Sequence, residues 1–396
     1  MSVVLVINSG SSSFKYQLVD TDSGSALSSG LVERIGQDEG RAVHVDASGA
    51  ESERTLPIPD HTAGFQVMLD AFDAHGPSLA EVPPVAVGHR VVHGGARFFA
   101  PTVVTPQVET DIEELSALAP LHNPGALQGI RAAERAFPDV PHVAVFDTAF
   151  HQTLAPAAYT YAIDRDLAAT HRIRRYGFHG TSHKYVSETA AAFVGGERED
   201  LRQLVFHLGN GASVTAVRGG RSVETSMGMT PLEGLVMGTR SGDIDPAVLF
   251  ALARRAGLTI AELDELLNTR SGLKGLAGVS DMRDVLARAA AGDEAAELAF
   301  AVYIHRLRGY AGAYIAQLGG VDVISFTAGV GENNALVRRE AMATLGFAGV
   351  EIDAQRNEAP ERGIRVISSD SSRVTVLVVP TNEELEIARQ TAEILG

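Results

Sequence analysis

The sequence predicts an α/β protein built from two related domains. Three observations carry that expectation. A chain of 396 residues is too long for one ordinary core. Short apolar runs of strand type alternate with longer helical patterns along its whole length. Finally, LVFHLGNGASVTAV (204–217) repeats the design of VVLVINSGSSSFKYQLV (3–19), which is apolar strand, Gly/Asn/Ser turn, strand. Two such units in two half-chains point to a duplicated domain with a ligand clamped in the cleft between the copies.

The first strand, VVLVI (3–7), is apolar on both faces and reads as a buried central strand. The turn after it, Asn8 to Ser13, offers hydroxyls, an amide and open backbone N–H groups, with Lys15 just beyond. Such a turn can form a nest for an anion, most plausibly a phosphate, although an ordinary Ser/Gly hairpin would look the same. It is not a GxxxxGK[ST] loop, and it leads into a strand rather than a helix. Further strands are expected near 14–19, 27–33, 42–46 and 85–92, and helices near 62–74, 107–118 and 124–137. Asn123-Pro124 reads as an N-cap followed by Pro at N1. The segment 36–60 is polar and aperiodic and reads as a surface excursion. A buried strand, 143–146, ends on Asp147.

The second half restarts with strands 203–208 and 213–217 around the turn GNGA. Asp245-Pro246 opens a helix closed by Gly257, and helices follow near 260–268, 281–291 and 293–318. Strand 323–327 leads through a Gly turn to a helix from about Asn334, and strand 374–379 leads into a helix that reaches the C-terminus. Thr381-x-x-Glu384 reads as a capping box, which leaves Glu383 as the carboxylate with no structural task.

The composition excludes several functions. The chain is 45% hydrophobic and 21% charged, the profile of a soluble globular protein, and no apolar run approaches the ~20 residues of a membrane span. The N-terminus has no basic region before its apolar stretch, so no signal peptide is expected. A formal charge of −16 opposes nucleic-acid and anionic-membrane binding. Without cysteine there is no disulfide, thiolate metal site or Cys nucleophile, and without HExxH or HxH a catalytic zinc is disfavoured. An anionic substrate therefore needs local basic clusters, and two occur: HRVVHGGAR (89–97) and HRIRRYGFHGTSHK (171–184).

Each candidate residue has a plain structural alternative. Arg90 at a strand end can fork onto phosphate or carboxylate oxygens, or form an internal salt bridge. His122 precedes a helix start, where anions are favoured. His179 lies between glycines that allow close approach of a ligand, while Arg172, Arg174 and Arg175 are equally consistent with a solvated face. Asp147 occupies the strand end where α/β sheets often carry catalytic carboxylates. Arg240 sits in a Gly-rich loop, and Asp281 and Arg283 open a helix, where Asp is simply a good dipole match. Glu383 offers the oxygen donor that Mg²⁺ prefers.

The segments VLVINSGSSSFKYQL, VGHRVVHGG, LHNP, VFDTAFH, YGFHGTSH, HLGNGAS, DMRD, AGVGEN and PTNEE stand in this order along the chain. Together they resemble the acetate and propionate kinase family end to end. Only segment 36–60 and the short tail ending Ile-Leu-Gly depart from it, and neither touches a motif. The resemblance implies duplicated ribonuclease H-like domains, as in sugar kinases, Hsp70 and actin, with an interdomain active-site cleft. The expected domains are 1–149 and 150–383, with helix 384–396 packing back on the first. A cytoplasmic homodimer is also implied, with no nucleic-acid or membrane partner.

The implied reaction is ATP + acetate ⇌ ADP + acetyl phosphate with Mg²⁺ or Mn²⁺. By resemblance, Arg90 and Arg240 would hold acetate and the transferring phosphoryl, and His179 would donate to its oxygens. Asn8, Lys15, His207, Leu208, Gly209, Asn210 and Gly211 would line the phosphate path. Asp147 and Glu383 would position the metal and the arginines, with Asn8 beside the metal. Asp281, Met282, Arg283, Gly329, Val330, Gly331, Glu332 and Asn333 would seat the nucleoside. Val92, Leu121, His122, Phe178 and Pro231 would surround the acyl group.

These residue types suit the chemistry. Acetate is already ionised at pH 7 and needs no base. What it needs is fixed positive charge and N–H donors, because phosphoryl transfer is mainly positioning and charge stabilisation. Three rival readings remain: a kinase of propionate or another short-chain carboxylate; a sugar kinase, which would require Asp147 as an obligatory base; and an actin/Hsp70-like ATPase switch.

Overall fold

The structure, a computed structural model, describes residues 2–120, 122–195 and 198–396. The chain divides into two compact units, Met1–Phe150 with Asn382–Gly396, and His151–Thr381.

Unit 1 is built on an eight-stranded sheet of order β5-β4-β3-β2-β1-β6-β8-β7. Its strands are β1 (Val3–Ser9), β2 (Ser13–Asp20), β3 (Ser25–Glu33), β4 (Gly40–Val45), β5 (Glu51–Leu56), β6 (Ala86–Val91), β7 (Thr102–Val103) and β8 (His142–Phe146). β1 runs antiparallel to β2 and parallel to β6, and β6 runs parallel to β8. Val3 to Ile7 are all buried, which stabilises the sheet by roughly 1.5–3 kcal/mol for each large side chain. On one face Leu5, Ile7 and Val87 pack with Phe65 and Phe72 of the helix His61–His75 and with Ala132 of the helix Asn123–Ala136. The next residue of β6, Gly88, faces the other way, and a Cβ there would lie 2.5 Å from Thr391 Oγ1. The final helix, Glu383–Leu395, therefore covers the second face of this sheet.

Unit 2 carries a six-stranded sheet of order β11-β10-β9-β12-β14-β13. Its strands are β9 (Arg202–Leu208), β10 (Ala212–Arg218), β11 (Arg221–Thr225), β12 (Val323–Thr327), β13 (Arg365–Val366) and β14 (Thr375–Val378). β9 is antiparallel to β10 and parallel to β12, which is parallel to β14. The five-strand series β3-β2-β1-β6-β8 and β11-β10-β9-β12-β14 thus share one order and one pattern of directions. Both are ribonuclease H-like, and the duplication read from the strand-turn-strand repeat is present in the fold.

Four local expectations are corrected. Segment 36–60 is not an excursion: β4 and β5 extend the sheet through it, with Gly40, Ala42 and His44 buried on alternate positions. β5, the edge strand, is polar from Glu51 to Thr55, the usual protection of an unpaired edge. Asn123 is the first residue of its helix rather than the cap, because its side chain is spent on the backbone N–H and C=O of buried His93, at 3.1 and 2.9 Å. The Gly turn after β12 is itself helical, Ala328–Asn333. Thr381 forms no capping box: Asn382 caps the last helix by accepting from Leu385 N–H, and Thr381 Oγ1 bonds Ser182 Oγ at 2.8 Å.

Candidate active site

In unit 1 the site residues gather where β1, β6 and β8 end. Arg90, on β6, grips Asp147, one residue past β8, in a bidentate pair: Nε–Oδ1 3.0 Å and Nη2–Oδ2 2.6 Å. Asp147 is only 2% exposed and its own N–H is tied to the Val91 carbonyl at 3.0 Å. Burial alone would lower the Arg90 guanidinium, but Asp147 and Glu383 outweigh it and hold it above its ordinary value. Glu383 opens the final helix beside this pair. Burial pushes its carboxyl up, Asp147 adds to the rise, and Arg90 and Lys15 oppose it. No hydrogen bond to the Glu383 carboxylate is found among the described residues.

Lys15 on β2 is exposed and faces Asn8 across the β1–β2 ladder. The turn between them is held from beneath. Gly10 N–H closes onto Ser13 O at 2.8 Å, and the Gly10 carbonyl accepts from His61 Nε2 at 2.8 Å. Gly125 presses on the turn so closely that a Cβ would sit 2.5 Å from the Gly10 carbonyl carbon. The Gly10 amide is therefore lost to the expected anion nest, and Ser11 and Ser12 stay exposed. Val92 and His122 are half-buried, His122 as the N-cap of the helix Asn123–Ala136. Leu121 lies outside the described residues. Arg97, the other arginine of its cluster, is spent on Asp111 and Glu114. His89 is buried against His142, Nε2–Nδ1 2.9 Å, and burial followed by the His142 charge lowers it well below an ordinary histidine.

In unit 2 three histidines meet at the β9–β10 turn. His179 is the N-cap of the helix Gly180–Val194 and has φ +56°, a left-handed conformation that costs about 1–3 kcal/mol for a side chain of this kind. Its ring stacks on His207 at 4.2 Å, and its Nδ1 lies 2.9 Å from Ser213 Oγ. The same hydroxyl meets His183 Nε2 at 2.7 Å, and His207 Nδ1 meets Ser182 Oγ at 2.8 Å. Serine hydroxyls thus fix both rings, leaving His179 Nε2 beside Gly211. An added Cβ on Gly211 would be 3.7 Å from that nitrogen and 3.4 Å from Arg240 Nη1. His179 and Arg240 therefore converge on one small space.

Arg240 has no carboxylate partner among the described residues. Its Nη1 makes only a long 3.5 Å bond to the Pro231 carbonyl and a 3.8 Å contact to Met237 Sδ, and burial lowers it. Of the basic residues upstream, Arg172 is exposed, as a solvated face requires, whereas Arg174 and Arg175 are spent internally. Arg175 pairs with Glu233 at 2.5 Å and donates to the Thr225, Ser226 and Met227 carbonyls, while Arg174 lies over the Tyr159 ring at 3.7 Å. Phe178 is a core residue, 2% exposed, whose carbonyl meets His151 Nε2 at 2.9 Å.

A cavity of about 410 Å³ opens next to the same turn. Gly209, Asn210, Asp281, Met282, Arg283, Gly329, Val330 and Asn333 line it. Gly238, Leu273, Ser280, Tyr303 and Asn334 line it too, and nothing in their local pattern announced this. Gly238 is the one position with a legible reason: its N–H bonds Asn210 O at 2.9 Å, and a Cβ would overlap Asn210 Oδ1. Asp281 caps the helix Met282–Ala290, and hydrogen bonds from Arg283 hold its carboxyl down to about 2.

Two expected nucleoside residues, Gly331 and Glu332, and one expected on the phosphate path, Leu208, fall outside the cavity wall. Leu208 is buried in β9, and the Gly331 carbonyl accepts from Arg338 Nη1 at 3.0 Å. Glu332 is spent structurally, since its carboxylate accepts from Ala328 N–H at 2.8 Å and Thr381 N–H at 3.2 Å. Ala328, whose N–H makes the first of these bonds, stands at φ +62°.

The family model described as the acetokinase family matches residues 3–389. An acetate kinase of Clavibacter michiganensis subsp. michiganensis is 68% identical over 391 residues, covering 99% of this chain and 98% of the relative. Among solved structures, Porphyromonas gingivalis acetate kinase superposes with a TM-score of 0.96 at 43% identity and full coverage of both chains. A propionate kinase from Francisella tularensis subsp. tularensis reaches 0.92 at 41% identity, with 99% of this chain and 100% of that chain covered. With the family model matching nearly its whole length and relatives this similar over the full chain, the chain belongs to the acetokinase family.

Proposed function

We propose that this chain transfers the γ-phosphoryl group of ATP directly to acetate, reversibly, giving ADP and acetyl phosphate in the cytoplasm. The observation that carries the reading is Arg240, a half-buried guanidinium with no carboxylate partner among the described residues, converging with His179 on the space at Gly211. An internal salt bridge would have spent that charge; a phosphoryl group uses it. In this reading the 410 Å³ cavity seats the nucleoside, and Asn210 and the Gly209 and Gly211 backbone follow the phosphates. Arg90 orients the acetate carboxylate, with Asp147 as its positioning partner and no proton to abstract. Val92, His122 and Pro231 bound the acyl group, where one methylene is worth only ~1–3 kcal/mol, so propionate is a weaker substrate.

The residues present fit a divalent metal. Asp147 already gives both oxygens to Arg90, whereas Glu383 keeps its own, and its raised carboxyl beside Asp147 is what a nearby cation would relieve. Among the described residues no cluster of three or more His, Asp and Glu forms a protein-only metal cage. That suits Mg²⁺, which binds through one or two carboxylates, waters and substrate phosphates. Glu383 and Asn8 would hold it, directly or through water, with Asp147 close by, and the charge it supplies neutralises phosphate oxygens.

We also propose a homodimer. The helix Ala247–Ala256 has no buried residue, and Ile244, Val248 and Phe250 stand 38%, 40% and 59% exposed on and beside it. An apolar face of this kind marks an interface. Phe250→Asp should halve the mass seen by light scattering; an unchanged mass would remove this face from the interface.

The reaction is tested with ATP, Mg²⁺, acetate and hydroxylamine. Acetate-dependent hydroxamate is expected. ADP release at the same rate without acetate would point instead to an ATPase.

A further inference from the structure

A second cavity, about 810 Å³, lies in unit 2 and shares the helix Ala328–Asn333 with the first. Three arginines line it: Arg338, Arg362 and Arg365. None of the three forms a salt bridge among the described residues. Arg338 is 2% exposed, yet its guanidinium meets only neutral oxygens: Asn357 Oδ1 and O at 2.7 and 2.6 Å, and the Gly331 and Glu332 carbonyls at 3.0 and 2.8 Å. Arg365, on β13, donates Nη1 to the Glu361 carbonyl at 2.9 Å, but its Nε is buried without a partner. Burial, and then the charge of Arg365, pull Arg338 down to about 10. Arg365 thus keeps an unpartnered donor at this cavity, and Arg338 behind it adds a charge that no carboxylate offsets, with its own fork spent on neutral oxygens. The carboxylates there do not discharge them: Glu332 is occupied by backbone N–H groups, Glu358 lies 3.8 Å from Arg339, and Glu361 is exposed and offers Arg365 its carbonyl.

We propose that this cavity binds the phosphate group of a small organic molecule. Guanidinium forks match phosphate oxygens, and the volume is that of a small-molecule site rather than of a bare ion. Its occupant also bears on the neighbouring cavity, because Arg338 holds the carbonyls of Gly331 and Glu332 in the very helix that presents Gly329, Val330 and Asn333 to the first cavity. That coupling rests on the nucleotide reading above; the binding itself does not.

The test is calorimetric titration of the full chain, without nucleotide, using 3-phosphoglycerate and, separately, inorganic phosphate. The parent should show a saturable 3-phosphoglycerate site that is at least tenfold weaker in Arg362→Gln/Arg365→Gln, whose melting profile and basal kcat stay unchanged. Identical titrations of the two proteins, or no saturation in the parent, overturn the site. Inorganic phosphate binding as tightly as 3-phosphoglycerate overturns the organic ligand. In a second arm, saturating 3-phosphoglycerate should shift the ADP Kd by about fivefold in the parent and not in the variant. An unmoved Kd overturns the coupling while the site stands, and no ADP binding at all faults the nucleotide reading instead.

Discussion

Replacing Arg240 by alanine separates a catalytic arginine from a structural one. In the folded protein this guanidinium is partly buried, faces no carboxylate, and makes one 3.5 Å bond to a carbonyl, a contact worth at most about 0.5 kcal/mol. Removing it also removes a charge that burial disfavours, so the stability of the ligand-free protein should stay level or rise slightly. Turnover should behave very differently. If Arg240 meets the transferring phosphoryl, its loss deletes one fixed donor in the transition state, which costs roughly 10²–10³ in kcat, or about 2.7–4 kcal/mol. The paired measurements are hydroxamate formation at saturating ATP and acetate, and thermal melting without ligands. A variant that melts as the parent does and turns over at near-parental rate refutes the assignment. So does one whose lost activity is matched by a large fall in stability.

Arg90→Ala should act in the opposite way on stability: it strands Asp147, 2% exposed, without its cation, a loss of about 3–5 kcal/mol by denaturant titration in addition to lost turnover. Equal stability of parent and variant would show that the pair carries no such load. Gly125→Ala ought to raise helix propensity by up to ~1 kcal/mol, yet its Cβ would lie 2.5 Å from the Gly10 backbone. The expected result is a displaced turn, no gain in melting temperature and at least a tenfold lower kcat/KM; a more stable, fully active variant would contradict it. His89 and His183 are buried, and burial lowers both. The unfolded chain therefore binds their protons first, so stability is complete above the ordinary histidine value and falls as pH drops below ~6.5, by up to about 1.4 kcal/mol per pH unit for each. A urea midpoint that is flat between about pH 7 and 5 would refute this.

The sequence revealed most where local chemistry and fold agree. β1 and β9 are apolar on both faces because both faces are covered, and their Gly/Asn/Ser turns are visible because few other residues close such hairpins. Reading failed where a polar side chain has a tertiary task that its neighbours in sequence do not disclose. His44 stands on the buried face of β4 because its ring bonds Tyr16 Oη at 2.8 Å, so segment 36–60 as a whole looked like a polar excursion even though a strand was expected near 42–46. Thr381 looked like a cap because the partner that claims it, Ser182, is far away in the chain. Glu332 sat inside a nucleotide-like motif, but two backbone amides had taken its carboxylate. Arg90, at a strand end, and Arg240, in a Gly-rich loop, were both read as anion-binding candidates, yet only the structure separates the paired guanidinium from the unpaired one. Tyr303 and Leu273 reached the cavity from helices whose pattern reports burial and nothing more.

Direct transfer from ATP to a carboxylate, with no residue taking the phosphoryl in between, is the claim beneath all of these expectations. It is tested by the configuration at phosphorus when ATP carrying a chiral γ-phosphoryl group reacts with acetate. Inversion is the predicted result. Retention would mean two displacements through a phosphorylated side chain, and would contradict the account.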